Sequence, residues 1–220
     1  MKENPKIVLS FDLDFTLIDN REGILNSFQF AIKKNNLPEI KRYELEKTIG
    51  TPLNETFMKF FDLKPAPLIS LISTFREYYG SKGIYQVKLF PGAKNKLKEL
   101  KNAFNLGVIT SKKQEMAVKL LKFLEIDDYF DYIIGETDKI KCKTAPELIN
   151  YLFANYAGYK FVVIGDHPTD KELANMLDCP FIGVLTGNHT SEDLKIDGSS
   201  TVIILDRISD ITPDLIYSLF

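Results

Sequence analysis

The chain has 220 residues, 45% of them hydrophobic and 26% charged, with a formal net charge of −2. These are ordinary globular values for a chain able to bury a sizeable core, as one domain or as one core with a small insertion, and they exclude the strong basicity that nucleic-acid binding draws on. The two cysteines, Cys142 and Cys179, give neither a disulfide framework nor a zinc-binding spacing, which suits a reducing cytosol.

The first predicted element is a buried strand, Ile7-Val8-Leu9-Ser10-Phe11, which stops in Asp12 and Asp14. Two carboxylates spaced i and i+2 at a strand end stand on the rim of a sheet, where oxygens can gather one cation. The pattern suits phosphoryl chemistry: one carboxylate as nucleophile, its neighbour shuttling a proton, and Mg²⁺ neutralising the transferring oxygens. It equally fits a strand capped by two solvated aspartates. Asp12 also interrupts the apolar run before a secretory signal core could form, and no apolar stretch approaches membrane-spanning length, so a cytoplasmic protein with no membrane partner is expected.

After Leu17 the period changes. Ile24, Leu25, Phe28, Ala31 and Ile32 recur at helical spacing, and further helical stretches run through Tyr43 to Ile49, Leu53 to Phe61 and Leu68 to Tyr79, with Gly50, Pro52, Pro65 and Pro67 as breaks. This all-helical block ends near Gly83. Phe90-Pro91-Gly92 then marks the return to alternating strands and helices. The lysine-rich stretch Lys94 to Lys101 reads as the solvated face of a helix.

Strands are expected near Val108, Ile133, Val163 and Ile182, with a further one at Thr201 to Leu205, which implies a doubly wound parallel α/β sheet. The strand around Val108 ends in Thr110 and Ser111, whose hydroxyl and backbone N–H groups can donate to a phosphate, although such a pair is also a common helix cap before the helical pattern Glu115 to Leu124. Lys143 precedes a helix start and can set its ammonium against a phosphate or bound carboxylates. The strand around Val163 breaks at Gly165, with Asp166 on the rim and Asp170 one turn into the next helix on the same side. His167, between them, reads as a partly exposed loop histidine. Four such signals in order, each at the carboxyl end of a strand, point to one site.

With these segments the chain resembles the haloacid dehalogenase superfamily, and within it the phosphoglycolate-phosphatase-like subgroup. Asp12-Leu13-Asp14-Phe15-Thr16-Leu17, Thr110-Ser111, Lys143, and Gly165-Asp166 with Asp170 match its four motifs, and the likeness covers nearly the whole chain. Two positions depart from the subgroup: Phe15 stands where glycine is usual, and Lys143-Thr144-Ala145-Pro146 where Lys-Pro-x-Pro is usual.

The resemblance implies a Rossmann-like catalytic core over 1–18 and 87–220 with an inserted helical cap over 19–86. It implies a Mg²⁺-dependent phosphatase acting on a small phosphorylated metabolite, as a monomer or homodimer. Asp12 is then the nucleophile and Asp14 the general acid and base. Thr110, Ser111 and Lys143 bind the phosphate, and Mg²⁺ is held by the carboxylates of Asp12 and Asp166 and the backbone carbonyl of Asp14. Asp170 orients Lys143 or a metal-bound water. Phe15 is expected to select substrates, and Arg42 and Arg76 are cap cations that either pair at the surface or meet a substrate anion. A phosphomutase, a pyrophosphatase or nucleotidase, and a catalytically weak phosphometabolite-binding protein are the alternatives on the same core.

Overall fold

The computed structural model describes residues 5–195 and 201–220. Residues 1–4 and 196–200, which fall within the core segments expected from sequence, lie outside the described residues. In chain order the elements are β1 (Ile7–Phe11), β2 (Ile18–Asp19), α1 (Arg21–Lys34), α2 (Arg42–Glu46), α3 (Leu53–Phe60), α4 (Pro65–Ser81), β3 (Lys88–Leu89) and α5 (Ala93–Lys101). They continue with β4 (Asn105–Lys113), α6 (Gln114–Phe123), β5 (Tyr132–Glu136), α7 (Pro146–Asn155), β6 (Lys160–Gly165), α8 (Pro168–Met176), β7 (Phe181–Val184), α9 (Ser191–Leu194), β8 (Val202–Leu205) and α10 (Pro213–Tyr217). The chain divides into two compact units, Met1–Ile18 with Leu89–Phe220, and Asp19–Lys88.

The first unit is built on one parallel sheet in the order β5-β4-β1-β6-β7-β8. All five residues of β1 are buried, which is why its sequence is a continuous apolar run broken only by Ser10. Ser10 is not orphaned, because its hydroxyl shares a 2.6 Å hydrogen bond with the Tyr132 hydroxyl from β5. One side of the sheet is sealed by a cluster in which Val8, Ile109, Phe161 and Val163 meet Leu148 and Leu152 of α7 and Leu173 and Ala174 of α8. Each fully buried aliphatic or aromatic side chain of this kind contributes about 1.5–3 kcal/mol.

Strand order reverses about β1, so the crevice beyond the carboxyl ends of β1, β4 and β6 is the place where such sheets bind ligands. Register brings the ends level: Phe11 lies opposite Val108 of β4 and Ile164 of β6. One residue on from Phe11 is Asp12, and two residues on from its partners are Thr110 and Asp166.

The second unit is helical apart from one strand residue at each end, Asp19 and Lys88. Its centre is aromatic, with the Phe28 ring of α1 lying 5.3 Å from Phe57 of α3 and 4.7 Å from Phe75 of α4. Two expectations are corrected here. Pro65 and Pro67 do not break a helix: α4 begins at Pro65, and both prolines fall in the first turn, where a missing N–H costs no intrahelical bond. Thr110 and Ser111 do not cap the next helix either, because β4 runs on to Lys113 and α6 starts only at Gln114. Arg42, at the start of α2, pairs with Glu22 of α1 and donates to Asn26 at 3.0 Å, while Arg76 is exposed on α4.

Candidate active site

Asp12 continues the β1 ladder by one bond, its N–H donating to the Ile164 carbonyl at 2.8 Å. The chain then turns sharply. Leu17 and Ile18 both donate to the Leu13 carbonyl, and Phe15 donates to that of Ile18. The turn places Phe15 at φ 61°, in the left-handed region that costs a residue with a Cβ about 1–2 kcal/mol. That strain explains why glycine suits the position. Here the conformation is held by the Ile18 bond and by the Thr186 hydroxyl, which donates to the Phe15 carbonyl.

Lys143, in the segment before α7, is buried and bridges two carboxylates. Its ammonium lies 2.6 Å from Asp12 Oδ1 and 2.6 Å from Asp170 Oδ1. Asp170, at the third position of α8, uses its other oxygen to accept the His167 N–H at 3.1 Å. His167 is therefore the N-cap of α8, with its ring nitrogen accepting from Thr169 N–H and its ring set edge-on to His189 at 4.4 Å. Burial, with His189 beside it, holds its pKa below the ordinary histidine value. Asp166, at the end of β6, accepts from the Thr16 hydroxyl at 3.1 Å.

Backbone comes close to both motif-four carboxylates, and glycine is what permits it. A Cβ on Gly165 would stand 2.2 Å from Asp170 Oδ2, and one on Gly187 would stand 1.9 Å from Asp166 Oδ2. On β4, Thr110 is buried with its Oγ1 accepting from Lys112 N–H at 3.2 Å, which leaves the hydroxyl proton as a donor; Ser111 is exposed. Lys112 forms an ion pair with Asp14 at 3.2 Å.

The charges do not balance. Counted as fully ionised, Asp12, Asp14, Asp166 and Asp170 face the ammonium groups of Lys112 and Lys143 with two negative charges over. Burial pushes Asp12 up to about 7, with Lys143 opposing and Asp170 and Asp14 adding to the rise. Burial, with Asp12 and Asp170 nearby, pushes Asp166 up to about 8. Burial also works against the charge on Lys143, but its two carboxylate partners outweigh that and hold its pKa above the ordinary lysine value. One oxygen each of Asp12, Asp166 and Asp170 lie within 4.8 Å of one another. Since both oxygens of Asp170 are engaged by Lys143 and His167, Asp12 and Asp166 are the pair fitted to a hard divalent cation, whose charge would supply the missing balance.

The structure thus brings together Asp12, Asp14, Thr110, Lys143, Asp166 and Asp170, with Ser111 and Phe15 flanking them. Sequence reasoning assigned no role to Thr16, Lys112, Thr186 or Gly187. None of these carried a local signal, and even period-2 spacing from Thr110 does not place Lys112, because the β4–β5 register shifts between Ile109 and Lys113.

Fold and site define an α/β protein with a lysine-bridged carboxylate cluster at the carboxyl edge of a parallel sheet. Residues 9–184 match the haloacid dehalogenase-like hydrolase family, and the chain belongs to it. A 5′-nucleotidase of Pseudomonas aeruginosa is 32% identical over 189 residues, spanning 84% of this chain and 85% of its own length. A phosphoglycolate phosphatase of Yersinia pestis is 29% identical over 214 residues, spanning 93% and 91%. Among solved structures, a haloacid dehalogenase-like hydrolase from Streptococcus pneumoniae superposes with a TM-score of 0.77 at 27% identity, covering 90% of this chain and 93% of its own.

Proposed function

We propose that the chain is a Mg²⁺-dependent phosphatase that hydrolyses a small phosphate monoester through an aspartyl-phosphate on Asp12. The observation that carries this reading is the Lys143 ammonium held between Asp12 and Asp170, beside an Asp166 with no cationic partner among the described residues. Such an arrangement has an excess of negative charge at rest and donors aimed at one place, which suits an enzyme that gathers a cation and a phosphate together.

Asp12 attacks phosphorus in line, forming an O–P bond as the bond to the leaving oxygen breaks. Asp14 gives its proton to that oxygen, and the alcohol departs. Asp14, now a carboxylate, takes a proton from water as the water attacks the aspartyl-phosphate, and the carboxylate of Asp12 is released with inorganic phosphate. Thr110, the Ser111 amide and Lys143 hold the non-bridging oxygens throughout. The Asp12 and Asp166 carboxylates and the Asp14 carbonyl would hold Mg²⁺, whose positive charge would offset the charge on those oxygens. The helical unit is the cap of this family, and the protein is cytoplasmic and works as a monomer or homodimer. Among the described residues no helix is long and apolar enough to cross a membrane.

Phosphoglycolate is the first substrate to test, with sugar phosphates and pyrophosphate after it. The 5′-nucleotidase relative favours nucleoside monophosphates as the second class, and a ring at Phe15 gives a base or sugar an apolar face to pack against. The test is a panel of phosphate esters assayed with and without Mg²⁺ after dialysis against chelator. Turnover of at least one ester, lost on chelation and restored by Mg²⁺ better than by the larger and more loosely coordinated Ca²⁺, is the expected outcome. Full activity in excess chelator overturns the metal, and no turnover of any ester overturns the enzyme.

A further inference from the structure

We propose that Lys112 is a positioning residue that aims the Asp14 carboxylate for both proton transfers; this rests on the phosphatase reading above. The two side chains come from different strands of the sheet, Asp14 from the turn after β1 and Lys112 from the end of β4. Their ion pair is 3.2 Å long and made through Asp14 Oδ2. Asp14 stands in a tight turn with its side chain 25% exposed, and a carboxylate on one sp³ and one sp² torsion is aimed by the groups that pair with it.

Lys112 is well placed to hold it. Its side chain is only 9% exposed, unlike the solvated lysines that make most surface pairs, and its N–H is tied to Thr110 Oγ1 where the β4–β5 register shifts. An ion pair between two fully exposed groups holds little in place, whereas one made by a largely buried ammonium is screened less. Asp14 Oδ1, the oxygen outside the Lys112 pair, carries the proton in this assignment. In the first step that proton passes from Asp14 Oδ1 to the leaving oxygen as the P–O bond breaks, and in the second it returns from water. Lys112 keeps its own protons throughout.

The same hydroxyl-lined strand end therefore serves two tasks. Thr110 is set for the phosphoryl oxygens, and Lys112, two residues on, is set for the acid that acts on the leaving group.

The role has a signature that a structural lysine would not leave. Departure of an alkoxide needs a proton, while departure of a nitrophenolate does not, so a misaimed acid harms alkyl esters selectively. The experiment measures kcat/KM of the Mg²⁺-loaded enzyme on p-nitrophenyl phosphate and on an alkyl phosphate for the parent, Lys112→Met, Lys112→Arg, Asp14→Asn and the Asp14→Asn/Lys112→Met double variant. Lys112→Met is expected to lose about 10–100-fold more on the alkyl ester than on the aryl ester, the scale set by misplacing a catalytic group by about 1 Å. Lys112→Arg should recover most of that loss, and the double variant should be no worse than Asp14→Asn alone, because Lys112 acts through Asp14.

An equal loss on both esters, or a double variant worse by the full Lys112→Met factor, overturns the assignment while leaving the phosphatase intact. A parent without turnover overturns both. Melting curves verify folding, and Lys112→Gln replaces Lys112→Met if the latter fails to fold.

Discussion

At the scale of single residues, the two members of the first motif differ in surroundings, and the difference sets their expected roles. Asp12 is buried against Lys143, while Asp14 is partly exposed and paired to Lys112. Asp12→Asn is therefore expected to abolish turnover, because no other group can take the phosphoryl. Asp14→Asn should reduce kcat by about 10²–10⁴-fold, the usual worth of a general acid and base. Steady-state assays read both, and turnover in Asp12→Asn near that of the parent would refute the mechanism. Phe15 differs again, since its backbone is left-handed and it directly follows the acid in the chain. Phe15→Gly relieves the left-handed strain and removes apolar surface without touching nucleophile or acid. It is expected to reorder substrates by about 1–3 kcal/mol in kcat/KM across a panel of esters while a small aryl phosphate is still hydrolysed. A uniform change across the panel would make Phe15 a packing residue.

At the scale of elements, the site is an assembly of strand ends with one helix start. Asp166 leaves β6 with one oxygen accepting from Thr16, whereas Asp170, a turn into α8, is already spoken for by Lys143 and the His167 amide. The two aspartates should thus separate in titration calorimetry. Asp166→Ala is expected to weaken Mg²⁺ binding strongly. Asp170→Ala should leave Mg²⁺ affinity nearer that of the parent but lower kcat, because Lys143 loses one of the two carboxylates that aim it. The reverse order of Mg²⁺ affinities would overturn the assignment of Asp166 as ligand and Asp170 as the group orienting Lys143.

At the scale of the whole molecule, the unbalanced charge couples the site to stability. Asp12 and Asp166 titrate at about 7 and about 8 in the folded protein against 3.8 for an unperturbed aspartate. The folded state therefore holds those protons more tightly than the unfolded state does. The stability they contribute is fully present below about pH 4 and is lost as pH rises through about 7 to 8. In chelator, the melting temperature is expected to fall between about pH 5 and about pH 9. Added Mg²⁺ should reduce that fall, since bound cation replaces proton, and Asp166→Asn should flatten it. Melting curves across pH for parent and variant check this, and identical slopes in all three conditions would refute it.

Much was legible in the sequence because it is written locally. An apolar run that ends in Asp12 and Asp14, and another that ends in Gly165, Asp166 and Asp170, mark buried strands with acidic ends. The alternation of such runs with amphipathic helices defines a doubly wound sheet from sequence alone. Local rules were ambiguous at Pro65 and Pro67, which break a helix in its interior but start one in its first turn, and at Thr110 and Ser111, which suit a cap as well as a strand end. Tertiary structure alone decided which groups meet. Lys143 and Asp12 stand 131 positions apart, and they touch because the segment between β5 and α7 brings Lys143 to the carboxyl end of β1. The Lys112 to Asp14 pair depends on the pairing of β4 with β1, and the left-handed Phe15 is held in part by the Thr186 hydroxyl across the fold. Periodicity and turn chemistry report on neighbours along the chain, whereas a charge at the site is held by neighbours in space, and those exist only once the sheet has set its strands side by side.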